Sequence, residues 1–174
     1  DEAGRGCLAG PVVSAAVRLD SKDYKFWQEL GLKDSKKIPE PKRERLFKEL
    51  KNHPNTQVTI ALRSPAEIDR ENILRSSLAA SQEAAQVLIK DYPGEFVLMD
   101  GNMGFNLEDK NTAVFPMIKG DDRSLNIAAA SIIAKVTRDH LMIEADKEFP
   151  GYNFKKHKGY ATKEHKEAIA KLGP

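Results

Sequence analysis

The chain opens Asp1-Glu2-Ala3-Gly4-Arg5-Gly6 and, after Cys7 to Gly10, runs into Pro11-Val12-Val13-Ser14-Ala15-Ala16-Val17. Two adjacent carboxylates repel each other unless water or a cation screens them. Glycines beside them let a ligand come close to the backbone. The pattern points to a cation site with a polyanion lying against the neighbouring turn. An acidic terminus leading into a plain surface turn is the competing reading. The run from Pro11 to Val17 is nearly continuous in apolar or small residues, which predicts a strand covered on both faces.

Working outward, helix and strand patterns alternate. Residues 22–31 fit a short helix burying Phe26, Trp27 and Leu30. Lys33-Asp34-Ser35-Lys36-Lys37 is a basic loop, and Pro39 or Pro41 can open a helix that runs to about Lys51. Leu46, Phe47 and Leu50 form its apolar face. Val58, Ile60 and Leu62 alternate with Gln57, Thr59 and Ala61 as in a strand. Ser64-Pro65-Ala66-Glu67 has the form of a capping box, and a long helix from there to about Lys90 breaks near Asn72. Ile73, Ala80, Ala84 and Val87 share a face of it, small enough to pack closely on a sheet.

Glu95-Phe96-Val97-Leu98-Met99-Asp100-Gly101 reads as a short buried strand with Asp100 at its C-terminal end, the edge where open α/β sheets place their sites. Ala113 to Ile118 is a second short strand, at an edge or bulged because of Pro116. A helix rich in small residues extends from Leu125 to about Glu148, and a final one starts near Thr162. Residues 1–174 contain no repeat, low-complexity tract or linker, so one domain is expected.

Composition limits the partners. A net charge of +2 is nearly neutral, but residues 33–51 and 155–171 each carry a local +4. Two basic segments around an acidic centre suit a phosphate backbone held against a metal site. The single Cys7 excludes an internal disulfide and a multi-cysteine zinc site, and fits a reducing, cytoplasmic setting. No run is long and apolar enough for a membrane span and no signal-peptide pattern occurs. The lack of a methionine before Asp1, and Pro174 so soon after a helical pattern, suggest a chain trimmed at both ends.

Four carboxylates stand out by position: Asp1, Glu2, Asp100 and Asp121. Hard divalent ions prefer oxygen ligands, and carboxylates drawn from several elements can hold a pair of such ions. If these four do so, their groups should lie within about 8 Å of a common centre. Spacing alone leaves Asp121 and Asp122 in competition for one role.

The run Asp1-Glu2-Ala3-Gly4-Arg5-Gly6, with Leu8-Ala9-Gly10-Pro11-Val12-Val13, resembles the opening of ribonuclease HII. Lys33-Asp34-Ser35-Lys36-Lys37, Met99-Asp100-Gly101 and Lys119-Gly120-Asp121 resemble later blocks of that family. So do Ala128-Ala129-Ala130-Ser131-Ile132-Ile133-Ala134-Lys135-Val136 and His157-Lys158-Gly159-Tyr160-Ala161-Thr162. The blocks occur in the family's order and cover nearly the whole chain.

The resemblance implies an α/β, ribonuclease H-like fold with a mixed central β-sheet flanked by helices. It implies a metal-binding, catalytic set of Asp1, Glu2, Asp100 and Asp121, since the family's Asp follows Lys-Gly directly, with two divalent ions, Mg²⁺ or Mn²⁺. The implied reaction is endonucleolytic cleavage of RNA in RNA–DNA hybrids and on the 5′ side of a ribonucleotide embedded in duplex DNA. It leaves a 3′-hydroxyl and a 5′-phosphate. Gly4, Arg5 and Gly6 match the turn that reads the ribose 2′-hydroxyl through its backbone, and Tyr160 matches a tyrosine on the same ribose.

Ser35, Lys36, Arg43, Lys135 and Arg138 are expected on phosphates. His140 reads as an ordinary helix residue, and His157 is left open. The hybrid-preferring relative ribonuclease HIII and a duplex-binding module without turnover are the alternatives. The expected protein is a monomer whose partners are hybrid and ribonucleotide-containing duplexes, with no membrane. A sliding clamp would be reached through a segment outside this chain. Family members also carry apolar residues before the acidic pair, completing its strand, and continue past the equivalent of Pro174.

Overall fold

The computed structural model describes residues 1–94 and 96–174; Glu95, at the start of an expected strand, lies outside the described residues. The fold is organised around β2 (Val12–Leu19), with β1 (Glu2–Ala3) and β3 (Thr56–Arg63) antiparallel on either side of it. As the unbroken apolar run predicts, β2 is covered on both faces. One face, with Ala15, Val17 and Leu19, packs on a helix α6 (Leu125–Glu148), where Ile127 to Ala134 are all buried. The other face offers Ala16 and, from β3, Ala61 to Ala80 and Ala84 of a helix α4 (Ile73–Asp91). Small side chains on both sides let helix and sheet approach closely. Val87, placed on the same face by its spacing, is instead 50% exposed.

The predicted capping box is present: Ser64 Oγ accepts from the Glu67 amide at 3.3 Å, and the Glu67 carboxylate accepts from the Ser64 amide at 2.7 Å. It starts α3 (Pro65–Glu71). Asn72, at φ 72°, stops α3, and its side chain caps the Arg75 amide at the start of α4, so one residue makes the expected break. In α1 (Tyr24–Leu30) only Trp27 is buried; Phe26 is 43% exposed and stacks on His53 at the end of α2 (Glu40–Asn52).

The remaining strands, β4 (Phe96–Asp100) and β5 (Ala113–Met117), pair in parallel as a second sheet. Of β4 only Met99 is buried, and Phe96 is 55% exposed, so that strand is less covered than its apolar sequence predicts. Among the described residues β1 pairs with β2 and not with β4, so β2 and β4 belong to different sheets. A cavity of about 330 Å³ lies between the two, lined by Ala15 to Leu19 on one side and Phe96 to Met99 on the other. Asp1, just before β1, reaches Asp100, at the end of β4. Short helices α5 (Gly120–Arg123) and α7 (Phe154–His157) flank α6 in sequence, and α8 (Lys163–Leu172) ends the chain.

Candidate active site

Each carboxylate is delivered by a different local device. Asp1 is fixed by strand register: the Ala15 amide donates to its carbonyl at 2.9 Å, and Ser14 Oγ reaches the same oxygen at 3.1 Å. Its side chain accepts from the Glu2 amide at 2.7 Å. Asp100 ends β4 and accepts from the Gly120 amide at 2.7 Å, which pins the first residue of α5 beside the sheet edge. A Cβ on Gly120 would lie 2.5 Å from Ile127 Cδ1 and 3.2 Å from the Asp100 carboxylate, so a larger residue there would have to displace the Ile127 side chain. The next residue, Asp121, is thereby swung inward.

Carboxylate oxygens of Asp1, Asp100 and Asp121 all lie within 4.8 Å of one another. Like charges this close are costly. Burial first, then the charges of Asp34 and Asp100, push the Asp121 carboxyl above its usual value. An all-oxygen set of this kind fits a hard divalent ion, which would remove the repulsion.

Glu2 lies outside this threesome. Its carboxylate pairs with Arg5 at 3.1 Å, consistent with successive strand residues facing opposite ways. Asp122 is not part of this threesome and bonds Lys37. Asp34, Asp121 and Asp122 also gather within 4.8 Å. Asp34, however, caps the Ser35–Lys37 turn through the Lys36 amide, and Lys37 contacts both Asp34 and Asp122. Its influence on Asp121 is a feature the sequence did not reveal.

Beside the carboxylates lies a second group. Gly4 takes φ 114°, and a Cβ there would meet Arg138 Nε at 2.6 Å and the Pro11 carbonyl at 2.7 Å. The turn closes through Cys7 N–H to the Gly4 carbonyl at 3.2 Å and leaves Arg5 and Gly6 exposed. Cys7 pairs with Tyr160 in an isolated antiparallel bridge, and the Leu8 amide donates to the Gly159 carbonyl at 2.9 Å. The Gly4–Gly6 turn and Tyr160 are therefore parts of one surface. Tyr160 is 41% exposed, with Lys135 Nζ 5.3 Å from its ring centre. Burial, then Cys7, raises its hydroxyl above the usual range.

Two histidines hold this segment from below. His165 Nδ1 donates to the Tyr160 carbonyl at 2.9 Å. His157 accepts from the Gly159 amide at 3.2 Å and donates to the Tyr152 carbonyl at 2.8 Å. Their rings stack with centroids 4.4 Å apart. His157 is thus a brace for the Tyr160 loop, and so is His165, which its sequence spacing does not flag.

The basic residues divide. Lys36 is exposed, and its charge acts on both Asp121 and Tyr160. Ser35, Arg43 and Arg138, expected on phosphates, are each engaged within the protein. Ser35 is 3% exposed, with its hydroxyl on Ser131 Oγ at 2.8 Å. Arg43 Nη1 donates to the carbonyls of Ser35 at 2.9 Å and Ile38 at 3.0 Å, bracing the Lys36 turn from behind. Arg138 is 1% exposed and donates to the carbonyls of Pro11 at 2.8 Å, Lys158 at 2.7 Å and Ala9 at 2.9 Å. A guanidinium forked onto three carbonyls joins the loops that carry Gly4 and Tyr160 and has no free face for a ligand. Lys135 keeps partial exposure, with its ammonium on Asp139 at 2.6 Å.

Comparisons with known proteins show the family. The family model for ribonuclease HII matches residues 1–174. A ribonuclease HII of Rhodopseudomonas palustris (strain BisB5) is 48% identical over 174 residues, covering all of this chain and 55% of that protein. One of Francisella tularensis subsp. novicida (strain U112) is 43% identical over 173 residues, covering 99% of this chain and 88% of that one. The ribonuclease HII in the PCNA:RNase HII complex from Archaeoglobus fulgidus superposes with a TM-score of 0.75 at 27% identity. The match covers 98% of this chain and 84% of that one. With the whole chain matched, and relatives near half identical, the chain belongs to the ribonuclease HII family, endonucleases of the ribonuclease H type 2 class that depend on divalent metal.

Proposed function

We propose that this chain cleaves the strand containing RNA in RNA–DNA hybrids, and DNA duplexes on the 5′ side of a single embedded ribonucleotide, leaving a 3′-hydroxyl and a 5′-phosphate. The observation that carries the reading is the joining of the Gly4–Gly6 turn to Tyr160, through the Cys7–Tyr160 bridge, next to the carboxylate threesome. Asp1, Asp100 and Asp121 would hold two divalent ions, Mg²⁺ or Mn²⁺, with Glu2 completing the set once it leaves Arg5. Bound there, such ions supply a water activated for attack and charge compensation at the leaving oxygen. The protein's own task is placement. Exposed backbone of the Gly4–Gly6 turn faces the 2′-hydroxyl, which is both donor and acceptor and so separates RNA from DNA. The Tyr160 ring and hydroxyl bear on the same ribose, while Lys36 and Lys135 take the phosphates.

Gel analysis of three duplexes, all-DNA, one-ribonucleotide and continuous hybrid, each with and without Mg²⁺, tests the reading. Cuts only on the two ribose-containing duplexes, and only with metal, are expected; cutting of the hybrid alone would favour a hybrid-preferring enzyme. In the same assay Tyr160→Phe should cut turnover at a single ribonucleotide more than on continuous hybrid. Loss of one neutral hydrogen bond costs about 0.5–1.5 kcal/mol, a rate factor of roughly 2 to 13. Tyr160→Ala, which also removes the ring, should cost more, and equal losses on both substrates would leave Tyr160 a packing residue. Lys36→Ala should weaken binding to every duplex and lower the salt slope by about one contact. A sliding clamp is a further proposed partner, reached through a segment outside residues 1–174.

A further inference from the structure

Behind the substrate surface lies a buried carboxylate that belongs to neither the metal set nor the turn. Asp139 is 6% exposed. It accepts from Lys135 Nζ at 2.6 Å, one helical turn back, and Arg43 approaches its other oxygen at 3.9 Å. Lys135 in turn lies over the Tyr160 ring, and Arg43 clasps the two ends of the turn that presents Lys36. A single side chain thus connects the ribose-facing and phosphate-facing halves of the surface. The group of two cations and one anion keeps a net charge of +1, so it can still attract phosphate. Lys135 has two N–H bonds left after serving Asp139.

We propose that Asp139 is a positioning residue for ribonucleotide recognition: it anchors Lys135 against Tyr160, so that ring and ammonium meet the ribose and its phosphate as one rigid unit. A free lysine side chain would sample many rotamers, and ordering it on binding costs affinity. Held by a buried anion, it is ordered beforehand. The proposal rests on the ribose-reading role given above to Tyr160. It differs from a merely structural ion pair in what Asp139→Asn should do. Removing an anion raises the local positive charge, so non-specific binding to DNA should hold steady or tighten. Only discrimination should suffer.

Fluorescence anisotropy without metal, on duplexes with and without one ribonucleotide, reads both quantities. In Asp139→Asn the ratio of the two dissociation constants should fall about fivefold, with all-DNA binding no weaker than in the wild type. Lys135→Met should lower the ratio similarly, and the double variant should lose no more than the larger single loss, because both act through one unit. An unchanged ratio in either single variant, or fully additive losses, overturns the proposal. A wild-type ratio of one overturns the proposed function and this inference together. A wild-type ratio well above one that Asp139→Asn leaves intact overturns this inference alone. If Asp139→Asn does not fold, Asp139→Glu, which keeps the charge but moves the anchor of Lys135, decides in its place: a lowered ratio is expected, and an unchanged one overturns the proposal.

Discussion

Asp100→Asn is expected to lower turnover by about 10³-fold while leaving fold and duplex binding in place, the loss of several kcal/mol of charge stabilisation at the reacting phosphate. The asparagine carbonyl can keep the bond from the Gly120 amide, so α5 stays docked. What changes is the second oxygen, which becomes an NH₂ that cannot serve a cation. The same substitution should separate metal binding from catalysis. In the wild type a ligand at 100 times its Kd stabilises by about 2.7 kcal/mol, or roughly 5–11 °C in melting temperature for a chain of this size. Calorimetric scans should show that rise on adding Mg²⁺ to the wild type and little of it in Asp100→Asn. Full activity in this variant would remove Asp100 from the metal set.

The threesome carries its own pH signature. The Asp121 carboxyl lies above its unfolded value through burial and the charges of Asp34 and Asp100. Such a raised acid favours the folded state fully at pH below the unfolded value and loses that contribution as pH rises through the folded one. The metal-free protein should therefore gain more melting temperature from Asp121→Asn near neutral pH than near pH 4. A gain independent of pH would argue that the three carboxylates are not crowded in solution.

Much of this centre was legible in the amino-acid order because its parts are local. The capping box at Ser64, the strand ending at Asp100 and the glycine before Asp121 each signal themselves within a few residues. The competition between Asp121 and Asp122 was not settled by spacing. It depends on Gly120 lying against Ile127 and Asp100, a contact set by packing. Lys135 and Asp139, four apart on a helix, had the spacing of an ion pair that could have been noticed. The division of the strands into two sheets could not, since strand pairing is set by segments far apart in sequence. Arg138 was the least legible of all. A basic residue one turn after Lys135 resembles a second phosphate contact, and only the folded chain brings the carbonyls of Ala9 and Pro11 to it from far away in sequence.

The buried setting of Arg138 leads to the largest stability effect expected here. Arg138→Met keeps the length and apolar stem of the side chain but leaves the carbonyls of Ala9, Pro11 and Lys158 without their donor in a buried place. Removing one partner from such a set costs about 3–5 kcal/mol, so the melting temperature should fall by roughly 6–20 °C. Arg138→Lys should recover only part, because one ammonium cannot reproduce a planar fork onto three acceptors. Function should follow the loops that Arg138 joins. Gly4 packs directly on its Nε, and Lys158 precedes Gly159 and Tyr160, so ribonucleotide discrimination should weaken in the variant even well below its melting point. Affinity for all-DNA duplex, and the slope of that affinity against salt, should stay at wild-type values. A phosphate-binding arginine would give the reverse: unchanged melting, weaker binding to every duplex, and a salt slope lower by about one contact. Thermal scans and a salt titration on the same preparation distinguish the two roles.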